Sequence, residues 1–415
     1  MSQNQSSSKK SPSLALQIFI ASVLAIIVGF LLQNNVDFAN KFINPFGTIF
    51  LNLIKFIVCP IVLFSIMSGV ISLGDIRKVG SIGGITISYY LVTTAFATII
   101  GLCTALIFKS SFPILETSNL TFAQSKPSSF MDVIVNIFPS NFLYPISNVV
   151  MLQIIFMALL MGFAIISLGK KARHVTIGID TWTEIFIKCM SMILKLSPIG
   201  VFCLLCPVIA QNGPKVIVSL GTVLLAAYIG YFLHALFVYS STVSLFGKIS
   251  PAHFFKEMLP AIIFAFSSAS SVGTLPINMK CAEKLNSSKE VTSFVLPLGA
   301  TINMDGTAIY QGVCSIFIAS CYGIDLDLSQ MLTIVATATL ASIGTAGVPG
   351  AGMIMLAMVL TSVGLPVDGI ALVAGIDRIF DMGRTTVNIV GDASCAVVVS
   401  NILRKKDQSG AEKGA

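Results

Sequence analysis

Long apolar runs recur along the chain from residue 14 to residue 403, and short polar stretches separate them. Each run is long enough to cross a hydrocarbon core of about 30 Å as a helix. Only 10% of the 415 residues are charged and 55% are hydrophobic, whereas roughly 25% are charged in a soluble domain. Because the runs are continuous rather than short and alternating, they predict an all-α, polytopic membrane protein and not a membrane β-barrel.

Charge and residue chemistry exclude other classes of function. The net charge of +7 comes from basic loops, and no face combines aromatic with basic residues, so we expect no nucleic-acid partner. Neither a nucleophile–base pair nor a metal-binding cluster is evident, so we expect no enzyme and no organic cofactor. The first apolar run is too long for a signal peptide and no cleavage site follows it, so we interpret it as the first span.

Hydropathy and loop charge together predict eight full spans with both termini in the cytoplasm, because basic residues cluster on that side. The spans lie at 14–32, 43–72, 82–108, 128–168, 177–209, 215–246, 290–320 and 369–403. The fourth is interrupted near Pro139 and Pro145. Alternate loops carry the basic clusters: Lys9 and Lys10; Arg77 and Lys78; Lys170, Lys171 and Arg173; Lys248 and Lys256; Arg404, Lys405 and Lys406.

Two further apolar segments are predicted to be re-entrant hairpins rather than spans. Met258–Asn278 has a serine-rich centre, and basic residues flank it on both sides. Met331–Leu365 has a glycine-rich centre, and the charged residues on its flanks are all acidic: Asp325, Asp327 and Asp368. Because loop charge places the first pair of flanks inside and the second outside, the two hairpins enter from opposite faces.

The hairpin tips also resemble each other in sequence. Ser271-Val272-Gly273-Thr274 in the first matches Ser342-Ile343-Gly344-Thr345 in the second, and each hairpin precedes a span that polar residues interrupt, at 303–307 and 381–385. Two hairpin-plus-broken-helix units of opposite direction are typical of inverted-repeat secondary transporters, whose irregular backbone lines the binding site. A helix kink or a small-residue packing motif is the alternative interpretation of either tip alone.

The last span carries polar side chains at intervals of three or four residues, which places them on one helical face. A charge at the bilayer centre costs at least about 2.5 kcal/mol on insertion scales. The row either neutralises itself through salt bridges or lines a site where an arginine binds a carboxylate and an aspartate binds an ammonium group. It consists of Asp377, Asp381, Arg384, Asn388 and Asp392, with Arg378 beside it.

Three motifs carry a resemblance to a known family. They are Asn303-Met304-Asp305-Gly306-Thr307, the segment GTAGVPGAG at 344–352, and the segment DMGRTTVN at 381–388. At these motifs the chain resembles the glutamate transporter family of dicarboxylate/amino acid:cation symporters, especially its sodium–aspartate symporters. The resemblance covers nearly the whole chain in order and spacing. It implies a homotrimer in the lipid of the cell (inner or plasma) membrane that imports aspartate or glutamate with sodium by an elevator motion.

The resemblance also implies a division into domains. Residues 14–80 and 128–246 mainly form a scaffold with the trimer contacts, and residues 81–109 and 247–403 form a mobile transport domain. Within the transport domain, hairpin one covers about 251–285, hairpin two about 328–366, and the last span about 369–403. Hairpin two is the gate, and residues 1–13 and 404–415 are cytoplasmic tails.

Site residues follow from their positions in the motifs. The resemblance implies that Asp381 binds the ammonium group of the substrate and that Arg384 binds its side-chain carboxylate. The full substrate set is Ala269, Ser270, Ser271, Thr307, Val348, Gly352, Asp381, Arg384, Thr385 and Asn388. The sodium set, spread over three sites, is Tyr90, Thr93, Thr94, Thr301, Asn303, Met304, Asp305, Ser342, Ile343, Thr345, Asn388 and Asp392.

One departure from the family pattern concerns an extra arginine, which relatives often place at the first hairpin tip or just after the aspartate of the last span. Here Ala269 and Met382 occupy those positions, and Arg378 lies about one turn earlier. Arg384 favours a substrate with a second carboxylate, and Asp381 favours one with an amino group. The nearest alternatives are a cation- or proton-coupled symporter of C4-dicarboxylates or of neutral amino acids; a channel is a more distant one.

Overall fold

The structure, a computed structural model, describes residues 14–76, 81–114, 135, 137–148, 150–213, 215–342 and 351–413. These residues form helices joined by short turns and include no β-strand, so the all-α prediction is confirmed for them. By length and composition alone, four helical stretches of this part can cross a membrane, at 82–111, 153–193, 218–245 and 377–405, and five shorter apolar helices accompany them. Eight full spans with two re-entrant hairpins remain a prediction.

The principal helices are labelled here in chain order. They are α1 (Leu14–Leu31), α2 (Asn44–Ile76), α3 (Ser81–Phe108), α4 (Met151–Leu168), α5 (Arg173–Leu194), α6 (Ser197–Asn212), α7 (Lys215–Leu233), α8 (Ser240–Leu245), α9 (Pro251–Ser268), α10 (Ser271–Lys284), α11 (Lys289–Ile302), α12 (Asp305–Cys321), α13 (Leu328–Ala341), α14 (Ala351–Ser362) and α15 (Asp377–Lys413). A π-helical segment, His234–Tyr239, joins α7 to α8 without a break, and two five-residue helices, Leu143–Ser147 and Ile370–Ala374, precede α4 and α15.

Helix breaks occur at most, but not all, of the expected positions. The predicted interruption of the fourth span is present, since a short helix and α4 are separate there. The polar interruption at Asn303 and Met304 is also present and divides α11 from α12. The predicted span 177–209 is divided into α5 and α6 just before Pro198, whose ring fixes φ and favours the first turn of a new helix.

The predicted interruption of the last span at 381–385 is wrong. Helix α15 runs unbroken through these residues, and the chain turns instead at Gly375 and Ile376, just before it. Gly383 and the neighbouring threonines do not stop the helix, because each still donates the backbone hydrogen bond that a proline would remove.

The helices form two bundles. The first bundle consists of five helices, in which α1, α4 and α5 pack around α2 and α6. The second bundle consists of α3 and α7 to α15, and α12 and α15 lie at its centre. Residues 215–246 are predicted to belong mainly to the scaffold. In the structure α7 and α8 pack within the second bundle, on α3, α12 and α15, and His234 and Tyr239 between them are directed at Asp305 in α12.

Two helix pairs correspond to the expected hairpins. Helices α9 and α10 pack together as hairpin one, and α13 and α14 as hairpin two. Their arms contain 18, 14, 14 and 12 residues, fewer than the roughly 20 that a full crossing needs. The tip of hairpin two, at 343–350, lies outside the described residues. The lengths agree with segments that enter the membrane and return.

The two hairpins differ in their contacts with the first bundle. Hairpin two packs on α2 and α4, whereas the described residues of hairpin one make no comparable packing there. Leu259 and Ile263, which lie one turn apart on hairpin one, are instead exposed. At the loop before hairpin two, Lys109 Nζ donates a 2.6 Å hydrogen bond to Asp325 Oδ1, and this bond and the lysine charge lower the pKa of Asp325.

Candidate substrate and cation site

The polar row of α15 faces the interior of the second bundle. Along this face α15 packs on α3, on hairpin one and on α11 and α12. The prediction that these side chains share one helical face is confirmed. The row is no more than 8% exposed at any of its members: Asp377, Asp381, Arg384, Asn388 and Asp392.

Arg384 is held by two carboxylates and one aromatic ring. Its Nε donates to Asp381 Oδ1 at 3.0 Å, and its Nη1 and Nη2 donate to the two oxygens of Asp377 at 2.9 and 3.2 Å. The guanidinium carbon lies 4.9 Å from the centre of the Tyr310 ring, a cation–π contact. The salt-bridge interpretation is therefore realised in part. Since a guanidinium group has five N–H donors, two remain without an acceptor among the described residues.

Gly352 brings the second arm of hairpin two against this arginine. A Cβ atom at position 352 would collide with the guanidinium nitrogens of Arg384. The first turn of α14 therefore lies directly beside the predicted carboxylate-binding group, and only glycine permits this approach.

Arg378 connects the tip of hairpin one to the same row. Its Nη2 donates to the Ser268 carbonyl oxygen at 3.1 Å, and its Nη1 lies 3.8 Å from Asp381 Oδ2. Ser268 is the last residue of α9. Arg378 therefore contacts the first hairpin tip from α15, where the family pattern would place an arginine in the tip itself.

The tip of hairpin one is a tight reversal between two helices. Ala269 is in the left-handed region at φ 49°, and Ser270 caps α10 by accepting a 3.0 Å hydrogen bond from the Gly273 amide. Ala269 and Ser271 are buried. The N-terminus of α10, with the positive end of its dipole, thus begins at the tip, which suits an anionic group nearby.

The break between α11 and α12 brings oxygen atoms together. Asn303 Nδ2 donates to Asp392 Oδ1 at 2.9 Å and to the Asn388 carbonyl at 2.8 Å, and Asn388 Oδ1 accepts from the Gly306 amide at 2.8 Å. Asn303 Oδ1 is buried and has no hydrogen-bond partner among the described residues. A buried oxygen without a partner beside a carboxylate requires an explanation.

Asp305, the first residue of α12, accepts three side-chain hydrogen bonds. Thr94 Oγ1 donates to Oδ1 at 2.6 Å, and the Tyr239 hydroxyl and His234 Nε2 bond Oδ2 at 2.8 and 3.2 Å. The carboxylate is fully buried. Of the predicted sodium residues of α3, Thr94 therefore contacts the site directly.

The other two predicted residues of α3 are bonded to backbone. The Tyr90 hydroxyl donates to the Val295 carbonyl at 3.2 Å, and Thr93 donates to the Tyr90 carbonyl at 3.2 Å. A Cβ at Gly299 would meet both the Tyr90 hydroxyl and Asp392. Tyr90 is thus beside the aspartate row, while Thr93 satisfies its own helix.

Three more predicted residues lie around the row. Thr385 Oγ1 donates to Asp381 Oδ1 at 3.4 Å. The Met304 sulfur accepts from Thr307 Oγ1 at 3.7 Å and from Asn388 Nδ2 at 3.6 Å. These contacts bring the motif after hairpin one into direct contact with the motif of the last helix.

The remaining predicted residues fall at the edge of the described site or outside it. The hydroxyls of Thr301 and Ser342 bond carbonyls of their own helices, so any ligand role falls to their carbonyl oxygens, as the resemblance implies. Val348, Ile343 and Thr345 lie outside the described residues.

Four residues of the site were not expected from the sequence. Asp377 belongs to the polar row but not to the predicted binding set, and the sequence predicts no role for Tyr310. His234 and Tyr239 lie in a segment that is predicted to belong mainly to the scaffold. For His234 the sequence itself contains a signal. A histidine within an apolar span is costly unless it has a polar partner, so His234 required one.

Comparison with known proteins places this geometry in a family. Residues 14–402 match the sodium:dicarboxylate symporter family. The chain is 37% identical over 410 residues to the proton/sodium-glutamate symport protein of Bacillus caldotenax, which covers 97% of this chain and 96% of that protein. It is 34% identical over 412 residues to the proton/glutamate-aspartate symporter of Escherichia coli strain K12, covering 95% and 94%.

A third relative carries a different substrate in its name. The chain is 30% identical over 405 residues to the C4-dicarboxylate transport protein of Bacillus subtilis strain 168, covering 96% of this chain and 95% of that protein. All three relatives are transporters by name, and each alignment spans both bundles and the polar row of α15. This chain therefore belongs to the sodium:dicarboxylate symporter family, a family of membrane transporters rather than enzymes.

Proposed function

We propose that this protein is a sodium-coupled symporter that imports acidic amino acids, aspartate or glutamate, by an elevator motion of its second bundle. The observation that carries the proposal is the buried Arg384, which among the described residues keeps two N–H donors without an acceptor beside Asp381. On the same helical face, Asp392 accepts from Asn303, whose Oδ1 has no partner among the described residues. The guanidinium of Arg384 suits a carboxylate, the carboxylate of Asp381 suits an ammonium group, and the Asn303 oxygen suits a cation. Together these groups match an amino acid with a second carboxylate and its coupling ions.

The substrate binds along the polar row. Arg384 receives the side-chain carboxylate, and Asp381 receives the ammonium group. Thr385 and Asn388 bind the α-carboxylate end. Asp381 is paired with Arg384, so the ammonium group joins an existing ionic network. The remaining contacts come from Thr307 and from the two hairpin tips, at Ala269, Ser270, Ser271, Val348 and Gly352.

Three sodium ions accompany the substrate. The first binds at Asn303, Asn388 and Asp392, and the second at carbonyl oxygens of Thr301, Met304, Ser342, Ile343 and Thr345. The third binds among Tyr90, Thr93, Thr94, Asn303 and Asp305. The Asn303 oxygen, which has no partner among the described residues, lies on an asparagine bonded to Asp392 and supports the first site. The hydrogen bond from Thr94 to Asp305 supports the third.

The charges of the site support the same number of ions. Counted as ionised, the site holds four aspartates and two arginines, a net charge of minus two. An acidic amino acid adds one negative charge, and three sodium ions make the filled site neutral. A filled site without net charge avoids the several kcal/mol that each net charge costs inside the bilayer. The ionised residues are Asp305, Asp377, Asp381, Asp392, Arg378 and Arg384.

Two other functions are supported by relatives. A C4-dicarboxylate transport protein shares 30% identity with the chain, and relatives named for protons share 34% and 37%. Asp381 argues against a plain dicarboxylate, whose second carboxylate would meet a like charge. Competition by succinate against aspartate distinguishes the first alternative, and replacement of sodium by choline at fixed pH distinguishes the second.

The assembly is a homotrimer with both termini in the cytoplasm, in which the first bundle is the scaffold and the second bundle moves. Packing supports including α7 and α8 in the moving part. Hairpin two, which is predicted to enter from outside, packs on the first bundle, while Leu259 and Ile263 of hairpin one are exposed. This arrangement fits a second bundle displaced toward the cytoplasm.

Equilibrium binding to the purified protein tests the proposal. Calorimetric titration with L-aspartate in sodium buffer should give saturable binding, and the same titration in choline buffer should give none. Binding of aspartate that is equal in the two buffers contradicts sodium coupling. Binding of succinate in place of aspartate contradicts the amino-acid assignment.

A further inference from the structure

The π-helical segment between α7 and α8 places two buried rings on one carboxylate. His234 and Tyr239 are the first and last residues of this segment, and both are fully buried. Their rings meet edge to face, with centroids 4.6 Å apart and planes at 84°. Both rings bond the same oxygen, Oδ2 of Asp305.

The wide helical turn makes this convergence geometrically accessible. In an α-helix of 3.6 residues per turn, two residues five apart project about 140° from each other. A π-helix has i→i+5 hydrogen bonds, so residues five apart lie nearly above one another. Such turns are rare and are often found at functional sites. The segment therefore has a definite consequence, the joint presentation of His234 and Tyr239 to one partner.

The hydrogen bonds divide the two oxygens of Asp305. A carboxylate only accepts, so His234 Nε2, the Tyr239 hydroxyl and Thr94 Oγ1 all donate. Oδ2 receives two of these bonds, at 3.2 and 2.8 Å, and Oδ1 receives the single bond from Thr94 at 2.6 Å. Among the described residues Oδ1 thus accepts one hydrogen bond fewer than Oδ2, and this leaves it an acceptor position for an ion beside Thr94, one of the predicted sodium residues.

The close approach of Tyr239 also depends on α15. A Cβ at Gly391 would lie 2.5 Å from the Tyr239 hydroxyl and 2.5 Å from Asn303 Nδ2. Glycine at this position lets the ring reach Asp305 between α12 and α15. The same gap brings the amide of Asn303 beside the tyrosine hydroxyl, so the ring pair borders the proposed cation site.

We propose that His234 and Tyr239 are positioning residues for sodium, which hold Oδ2 of Asp305 so that Oδ1 faces the ion. This inference rests on the proposed function and adds residues of the π-helical segment between α7 and α8 to the cation machinery. Loss of a hydrogen bond to a buried charge changes a binding equilibrium by about tenfold or more. The effect falls on sodium and not on the substrate groups, which bind at Asp381 and Arg384.

The experiment compares four variants in purified protein by aspartate titration at increasing sodium. His234→Leu removes the donor, His234→Gln keeps an N–H donor, and Tyr239→Phe removes only a hydroxyl. Phe237→Leu, at an exposed position in the same segment, is the matched control. His234→Leu and Tyr239→Phe should raise the sodium concentration for half-maximal aspartate binding about tenfold or more. At saturating sodium their aspartate Kd should stay within about threefold of wild type.

Rescue distinguishes positioning from mere packing. His234→Gln should stay near the wild-type sodium requirement, as should Phe237→Leu. An unchanged sodium requirement in both His234→Leu and Tyr239→Phe would overturn the inference, and so would an equal loss of aspartate affinity at every sodium concentration. If His234→Leu does not fold, Tyr239→Phe decides alone. Aspartate binding to the wild-type protein that does not depend on the sodium concentration would instead refute the proposed function itself.

Discussion

Asn303 donates an amide hydrogen bond to Asp392 at 2.9 Å while its own Oδ1 stays buried and without a partner among the described residues. An unpaired buried carbonyl oxygen normally costs about 1–3 kcal/mol. In the proposed function this atom, beside the Asp392 carboxylate, is a ligand for sodium. The pair joins α12's N-terminal break to α15 and so couples the motif after hairpin one to the last helix.

Asp392→Asn should therefore weaken sodium binding more than substrate binding. The substitution keeps the shape and a hydrogen-bonding partner for Asn303 but removes one negative charge from the ion's surroundings. We expect the sodium requirement for aspartate binding to rise about tenfold or more. Sodium titration of aspartate binding measures it, with the exposed Asp325→Asn as the control. Identical sodium curves for Asp392→Asn and wild type would argue against an ion at this pair.

Arg384→Cys should abolish uptake of acidic amino acids. Truncation removes the group that binds the second carboxylate and leaves Asp377 and Asp381 without their buried cation, so we expect a loss of at least about 100-fold in affinity for aspartate. Neutral amino acids are the substrates that such a site could gain. Arg404→Cys, at an exposed position on the same helix, is the matched control. Aspartate uptake by Arg384→Cys at the wild-type rate would contradict this assignment.

Arg378→Ala should loosen the tip of hairpin one. The side chain is 33% exposed and its closest contact with Asp381 is 3.8 Å, so the ion pair is weak, while its bond to the Ser268 carbonyl is direct. We expect aspartate affinity to fall by about threefold to tenfold. Arg378→Lys keeps the charge but not the planar fork and should recover only part of the loss. Equal affinity in wild type and both variants would leave Arg378 without this role.

Sidedness of labelling should reveal the opposite entry of the two hairpins. Lys284 ends hairpin one and Asp325 precedes hairpin two, and their side chains are 65% and 87% exposed. In a background without native cysteines, Asp325→Cys should react with an impermeant maleimide in intact cells. Lys284→Cys should react only after permeabilisation. Labelling of both positions from the same side would refute the predicted topology.

The sequence predicts the architecture where local chemistry decides it. The spacing of Asp381, Arg384 and Asn388 defines one helical face, and that face is buried as expected. The break at Asn303 also follows from its polar neighbours. The expected break within α15 does not occur, because polar residues without proline can continue a helix when neighbouring helices satisfy their side chains.

Other parts of the site depend on contacts that are distant in the sequence. His234 and Tyr239 lie 71 and 66 residues before their partner Asp305. The two residues are five apart, and residues five apart do not share a face of an α-helix. Asp377 follows the expected spacing, but its bidentate hold on Arg384 depends on side-chain geometry. Sequence periodicity finds faces of helices, and it does not choose between partners across a bundle.

Gradient-driven uptake into proteoliposomes tests most directly whether this buried site couples an acidic amino acid to sodium. With purified protein and an inward sodium gradient, radiolabelled aspartate should accumulate above its external concentration. Accumulation should vanish when choline replaces sodium, and excess unlabelled aspartate, but not succinate, should compete. Accumulation that continues unchanged in choline, or that succinate blocks as well as aspartate does, would contradict the account.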